Sequence, residues 1–435
     1  MMTFPPDGYQ RVASALPGIE VYAPVAEATE AQAEVVQFKC PRCQATTAYS
    51  AAEGGLRCAH CGYYEPPSSP AVGKRAQEFE FTVETVSAAR EAAGWGTERK
   101  TLRCQSCGSE TSLPTGRLTS TCPFCGSNQV LQQDAPDDHL RPRFLIPFAV
   151  DADRCRAIAR EWMGSSWMTP KSLKTAAGVT ELTGVYVPYW TFDARTSASW
   201  RAQVGHQVTD RYYDSSSKTW KTRTRTVWRW ESGNVARVFD DLLVPGSDKL
   251  SSHLLRKIQD YDTQTLVPYA PSYLAGLLAQ AYDVSLEPAW AVAREQMRDR
   301  TRETCHGQAS TSQVRNFSMS LDFSDESWRY VLAPAYVAAY RYGGQSYQVM
   351  VNGQTGAIAG QRPVDWTKVW LAVAAMVAPG LLLGLLGVLA TVLGAVMPPS
   401  LAVGGGVLLV ALVLLIIGAI FAFITLNKAR GMDDV

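Results

Sequence analysis

Apolar and polar positions are segregated along this chain. From Val369 to Asn427 there is no Asp, Glu, Lys or Arg, whereas the preceding residues form an ordinary polar mixture. Within that apolar region Val369–Val396 and Val403–Leu426 are each long enough to cross a hydrocarbon core of about 30 Å, for which about 20 helical residues suffice. The link Met397-Pro-Pro-Ser-Leu-Ala402 is too short to be a domain, so the pattern predicts a transmembrane helical hairpin with a tail at 427–435. Pro379-Gly380 predicts a kink or tilt in the first helix. Gly384, Gly387 and Gly394 would let helices approach closely, within the hairpin or between copies, so an oligomer is open.

Before the hairpin the periodicity is that of an α+β domain over 131–365. Asp151 is placed to cap a helix on which Cys155, Ile158 and Trp162 share a face. Val185–Ala194 reads as a strand and Tyr212–Trp230 as a hairpin turning at Asp214-Ser-Ser-Ser217. A second helix begins near Ser285 with Pro288 in its first turn, and Trp290, Ala293 and Met297 line one side. Val331–Tyr342, a Gly343-Gly344 turn, Tyr347–Val351, an Asn352-Gly353 turn and Ala357–Ala359 make a closing meander. The segment Val185-Tyr-Val-Pro-Tyr-Trp190 is echoed by Val331-Leu-Ala-Pro-Ala-Tyr336, each C-terminal to an expected helix, which suggests a duplicated unit.

In the hairpin, Lys221, Arg223, Arg225 and Arg229 take odd positions and Trp220, Trp228 and Trp230 even ones. A strand so patterned has one cationic and one aromatic face. Either the aromatic face enters the core and the charges face water, or the surface contacts anionic lipid or an acidic partner.

Composition changes the picture at the N-terminal end. Residues 1–35 are rich in Pro, Ala and Glu and read as weakly ordered; 66–99 open with a Pro/Ser linker. Eight of the ten cysteines form CxxC pairs: Cys40/Cys43 with Cys58/Cys61, and Cys104/Cys107 with Cys122/Cys125. Fourteen residues separate the two pairs in both sets, and Gly62, Gly108 and Gly126 follow three of the four knuckles. A CxxC on a tight turn aims two sulfurs at one ion, and a short hairpin brings the second pair round to complete a tetrahedron. The expectation is two structural Zn2+ ions in zinc ribbons at 36–65 and 100–130. Four thiolates leave no open position for catalysis, and His60 is a bystander. Cys155 reads as a core residue, and Cys305-His306 as structural rather than a catalytic dyad.

The net charge of +1 asks for no polyanionic partner. The cations flanking the ribbons (Lys39, Arg42, Arg57, Arg99, Lys100, Arg103, Arg117) can offset the double negative charge of a tetrathiolate site. No GxxxxGK[ST], GxGxxG, HExxH or GxSxG is present, and the expectation is no enzyme. Met1–Glu20 has no basic stretch followed by an apolar one, which predicts no secretory signal. Arg362 and Lys368 precede the apolar region, Lys428 and Arg430 follow it, and the connecting loop is uncharged. Both ends are therefore expected on the cytoplasmic side of the membrane, and the resemblance given below would make that membrane the bacterial inner one.

Paired ribbons ending Cys122-Pro-Phe-Cys-Gly126, then Leu145-Ile-Pro-Phe148, Gly184-Val-Tyr-Val-Pro-Tyr-Trp190, Val351-Asn-Gly-Gln-Thr-Gly356 and a C-terminal hairpin resemble a bacterial family. Its members are labelled transcription-factor-B-type zinc-ribbon membrane proteins, and sometimes mislabelled primosomal helicase-like. The resemblance implies an adaptor in membrane-stress systems. It would partner proteins of the phage-shock-protein-A class, bacterial relatives of ESCRT-III, and flotillin-like SPFH proteins. A membrane-tethered nucleic-acid-binding or transcription-associated ribbon protein is the second expectation.

Overall fold

A computed structural model describes residues 9–12, 21–24, 38–67, 70–73, 76, 78–80, 100–105, 110–113, 122, 130–134, 140, 142–175, 182–248, 250–342, 345–393 and 398–433. Cys107, Cys125, the knuckle glycines Gly108 and Gly126, the Gly343-Gly344 turn, Gly394, Met397, and most of the 1–35 and 66–99 expectations lie outside the described residues.

The strands, in chain order, are β1 (Tyr9–Val12), β2 (Val21–Pro24), β3 (Thr47–Ser50), β4 (Gly55–Cys58), β5 (Tyr64–Glu65), β6 (Phe79–Glu80), β7 (Lys100–Cys104), β8 (Glu110–Leu113), β9 (Val130–Asp134), β10 (Phe144–Leu145), β11 (Thr183–Asp214), β12 (Thr219–Pro245), β13 (Val267–Pro268), β14 (Leu278–Gln280), β15 (Val314–Tyr342), β16 (Gln345–Asn352) and β17 (Ile358–Gly360). The helices are α1 (Ala152–Gly164), α2 (Lys171–Thr175), α3 (Ser252–Ile258), α4 (Leu286–Gln308), α5 (Trp366–Leu393) and α6 (Pro398–Asp433). Among the described residues, β3–β5 form a small sheet of their own, and the other strands join one hydrogen-bonded network.

The spine of that network is the antiparallel set β12–β11–β15. Its burial changes stepwise along β11. Val185 to Phe192 are buried on both faces. One face meets α3 through Leu254, Leu255 and Ile258; the other packs on α4 and Phe148. From Ala194 to Ala202 burial alternates, because among the described residues only α4 covers the sheet there: Ala198, Trp200 and Ala202 go in, Arg195, Ser197, Ser199 and Arg201 go out. β15 stops pairing at Val204↔Val314, and beyond it a two-stranded ribbon continues to the turn after Asp214.

Leu145 pairs with Leu332 in parallel, and Tyr186 pairs with Ala279 in parallel. The echoed segments themselves pair antiparallel about Val187↔Ala333, with Tyr186↔Pro334 and Pro188↔Leu332. Thus β10–α1–β11–β12 and β14–α4–β15–β16 occupy equivalent places about a local two-fold, and each half lends its first short strand to the other's long strand.

Local chemistry sets the helices. The Asp151 carboxylate accepts the Arg154 N–H at 2.7 Å at the start of α1. The buried side of α1 is Cys155, Ala159 and Met163, whereas Ile158 and Trp162 are half-buried, so the face is rotated by one residue from the sequence expectation. On α4, Trp290, Ala293 and Met297 are buried as expected, and Thr301 and Cys305 extend the stripe. The expected 66–99 linker is partly built into the domain. Val72 and Gly73 donate to Leu266 O at 2.8 and 3.0 Å, Ala76 is buried, and β6 pairs with β15.

α5 and α6 are long and apolar enough to cross a membrane and lie against each other. A Cβ on Gly380 or Gly387 would collide with Leu415 or Leu408, and one on Gly418 would lie 2.5 Å from the Met376 carbonyl oxygen. Gly384 faces Ala411. The small residues therefore serve the packing of the two helices on each other.

Candidate metal centre and the exposed hairpin

Cys40, Cys43, Cys58 and Cys61 converge, with all four sulfurs within 4.8 Å of one another. Cys40 Sγ lies 3.4 Å from Cys61 Sγ, and Cys43 Sγ 3.5 Å from Cys58 Sγ. Tetrahedral Zn–S bonds of roughly 2.3 Å place sulfurs about 3.8 Å apart, so the group could bind one metal ion.

Two matching turns create this geometry. Cys40 N–H donates to Ala45 O at 2.8 Å and Gln44 N–H to Cys40 O at 2.9 Å; Cys58 N–H donates to Tyr63 O at 2.8 Å and Gly62 N–H to Cys58 O at 3.0 Å. The residue after the second cysteine is left-handed in both, Gly62 at φ +71° and Gln44 at φ +58°. Gln44 thus fills, without being glycine, the place that Gly62 fills at the second knuckle.

The backbone N–H groups of Cys61 and His60 point at the Cys58 sulfur and hold its thiol down to about 6. Cys43 receives the Ala45 N–H, but desolvation and the three neighbouring sulfurs push it up to about 12. Four sulfurs this close cannot all carry charge without a cation among them, which is what suits the group to a thiophilic metal. His60 is exposed and contributes its backbone alone.

The small sheet is docked on the domain. Tyr49 N–H donates to Ala275 O at 3.0 Å, and its ring meets Tyr273 at 5.4 Å between centroids. Tyr49, Leu56, Pro66 and Tyr273 line a shallow cleft at this seam.

Of the second cysteine set, Cys104 and Cys122 are described, and both are buried in the main core. β7, β8 and β9 around them belong to the large sheet, β8 pairing with β14. Cys155 is buried and its thiol pushed up to about 12 by desolvation, so it is not a nucleophile. Cys305 packs in the core at 3.8 Å from Met319 Sδ, and His306 stacks on Phe317.

The hairpin cations are exposed, as expected, but its aromatic face does not enter the core. Trp220 is 66% and Trp230 52% exposed, with Tyr212 and Tyr213 beside them. Trp220 lies on the ribbon beyond the last β15 pair, Val204↔Val314, whereas Trp230 stands opposite Gln203, where β15 ends. The rings are ordered by local partners instead: Tyr213 packs edge-on to Trp220, Arg201 lies 4.4 Å over Trp230, and Arg315 lies 4.0 Å over Trp228. Between Gly205 and Trp230 six Lys/Arg face two Asp. Both Asp are engaged, Asp214 with Lys221 and Asp210 with Arg225, which leaves Arg211, Lys218, Arg223 and Arg229 to set the sign of the surface.

Two constellations were not anticipated from sequence. His206 Nε2 lies 3.0 Å from Glu231 Oε1 and 3.5 Å from Ser310 Oγ. Both partners use the same ring nitrogen, so this is not a proton relay; Glu231 also accepts the Ser310 N–H and ties the end of α4 to the hairpin. The other is buried Arg329, whose Nη2 meets Glu78 at 3.1 Å, Asp193 at 3.3 Å and Asp241 at 2.5 Å. Asp193 sits at a bulge in both of its pairings, and Asp241 is left-handed at φ +57°. Burial, opposed by the Asp241 N–H and Arg329, pushes Asp193 up to about 6.

No family model matches the chain. No solved structure matches it. The chain is similar to the uncharacterized protein YdjG of Bacillus subtilis (strain 168), at 26% identity over 340 residues that cover 77% of this chain and 92% of that one.

Proposed function

We propose that this protein is a membrane-anchored, non-enzymatic zinc-ribbon adaptor. It recruits cytoplasmic membrane-remodelling proteins to the inner face of a bacterial cell membrane. α5 and α6 cross the bilayer with both ends cytoplasmic. One structural Zn2+ is held by Cys40, Cys43, Cys58 and Cys61, and a second by Cys104, Cys107, Cys122 and Cys125. The observation that carries this reading is the exposed hairpin, where Trp220 and Tyr213 at the tip and Trp230 further down the ribbon stand on a surface whose cations outnumber its carboxylates. Rigid aromatic anchors with arginine are what protein interfaces use as energetic centres. The partner class, phage-shock-protein-A-like or SPFH proteins, comes from the family resemblance.

The test is affinity purification of the solubilised protein from its host, with mass spectrometry. Trp220→Ala/Arg223→Glu and Cys40→Ser/Cys43→Ser variants are run in parallel. Recovery of a membrane-remodelling protein that drops at least tenfold in the tip variant is the expected result; unchanged recovery removes the tip from the reading. A second reading, nucleic-acid binding, is favoured by the Arg–Trp stacks at Trp228 and Trp230. It predicts oligonucleotide affinity that falls steeply with salt.

A further inference from the structure

The inner ends of α5 and α6 are clasped by the loop between α1 and α2. Asp365 N–H donates to Met168 O at 2.8 Å, and Lys368 Nζ to Thr169 O at 3.2 Å. Arg362 N–H donates to Met432 O at 3.1 Å, and its guanidinium bonds Trp162 O and Ser165 Oγ at 2.7 and 2.9 Å. Met168 is buried with Val369 and Ala429, flanked by Trp366, Leu426 and Met432. The loop therefore touches one helix at 365–369 and the other at 426–432. Those are the places where charge stops and resumes, since Lys368 and Lys428 bracket the uncharged stretch.

This fixes the depth of the loop. Trp167, at its centre, is 49% exposed beside Met168. Exposed Lys428 and Arg430 stand on the same rim, and Trp370 is exposed one turn further along α5. Indole rings collect at the headgroup level because their body is apolar and their N–H is polar, and cations there meet anionic lipid. Resting on the reading of α5 and α6 as spans, we infer that the Ser165–Pro170 loop is a third membrane contact. In it the Trp167 indole is seated among phospholipid headgroups. The globular domain is then seated on the bilayer surface, and the clasp couples α1 to the inner ends of both spans.

The test places a photo-reactive benzophenone amino acid at position 167, 220 or 385 of the full chain. Each protein is reconstituted into phosphatidylethanolamine/phosphatidylglycerol vesicles, illuminated, and analysed by peptide mass spectrometry. Leu385 is an exposed position in the middle of α5 and Trp220 is at the hairpin tip. Lipid adducts at 167 and 385, at least five-fold above those at 220, are the expected result. Adducts at 385 without adducts at 167 overturn this contact while leaving the spans standing. Crosslinks from 167 to a second copy of the chain overturn it in favour of a protein contact. Failure at 385 as well removes the membrane reading and this inference with it.

Discussion

At Gln44 a single side chain carries a conformational cost that its counterparts avoid. A left-handed non-glycine residue is disfavoured by about 1–2 kcal/mol, and β-branching makes it worse. Gln44→Val is expected to lower the stability of the β3–β5 unit by about 1–2 kcal/mol, with Gln44→Gly neutral or stabilising, in denaturant unfolding with added zinc. Asp193 makes a prediction about pH. Its folded value lies above its ordinary 3.8, at about 6, so between those values the folded state holds more proton than the unfolded one. The sign is that stability from this group falls as pH rises from about 4 to about 6. The fall is about 3 kcal/mol at most, and it levels off above that range. Asp193→Asn should flatten that part of the stability–pH curve; an unchanged slope would show that Arg329 compensates Asp193 fully.

At the scale of elements, the seven-residue spacing of Gly380 and Gly387, and of Gly404, Ala411 and Gly418, is that of two helices wrapping left-handedly. Gly418→Ile would drive a side chain into the Met376 carbonyl. It is expected to cost about 1–3 kcal/mol and to lower the thermal midpoint of the detergent-solubilised protein. Much of this level was legible in the sequence. The Asp151 cap, the Trp290–Ala293–Met297 stripe and the turn opening at Asn352-Gly353, where the Asn352 side chain accepts the Gln354 and Thr355 N–H groups, are local signals that the fold uses. The sequence pattern of β11 ends near Ala194, because beyond it the outward positions are Arg195, Ser197, Ser199 and Arg201. The inward ones, Thr196, Ala198, Trp200 and Ala202, are too small and mixed to register as apolar alternation. Tip aromatics were open between core and surface because periodicity gives the face of a strand and not what covers it. The Arg329 cluster gathers Glu78, Asp193 and Asp241 from distant segments, which no spacing rule foresees.

For the whole molecule, the two cysteine groups differ in how far their loss should spread. β3–β5 form a separate sheet held to the domain chiefly through Tyr49, whereas Cys104 and Cys122 are buried in the main core. Cys40→Ser/Cys43→Ser should therefore raise hydrogen exchange over 38–65 and leave the main unfolding transition nearly in place. Cys104→Ser is expected to lower that transition by several degrees. Equal effects on the main transition would show that the small sheet is integral to the core.

The exchange of first strands between the two halves has a consequence in time. Phe144 pairs with Pro268 of β13 and with Val331, and the Val331 pair is what joins β10 to the long strands, so that junction waits for a partner 187 residues downstream. At synthesis rates of about 5–20 residues per second, that is a wait of roughly 10–40 s. The first half must be kept from misfolding through this interval, and the apolar stretch that begins at Val369 follows closely behind its closing strand. Closure of the domain and emergence of the two long apolar helices thus fall in the same short window of synthesis.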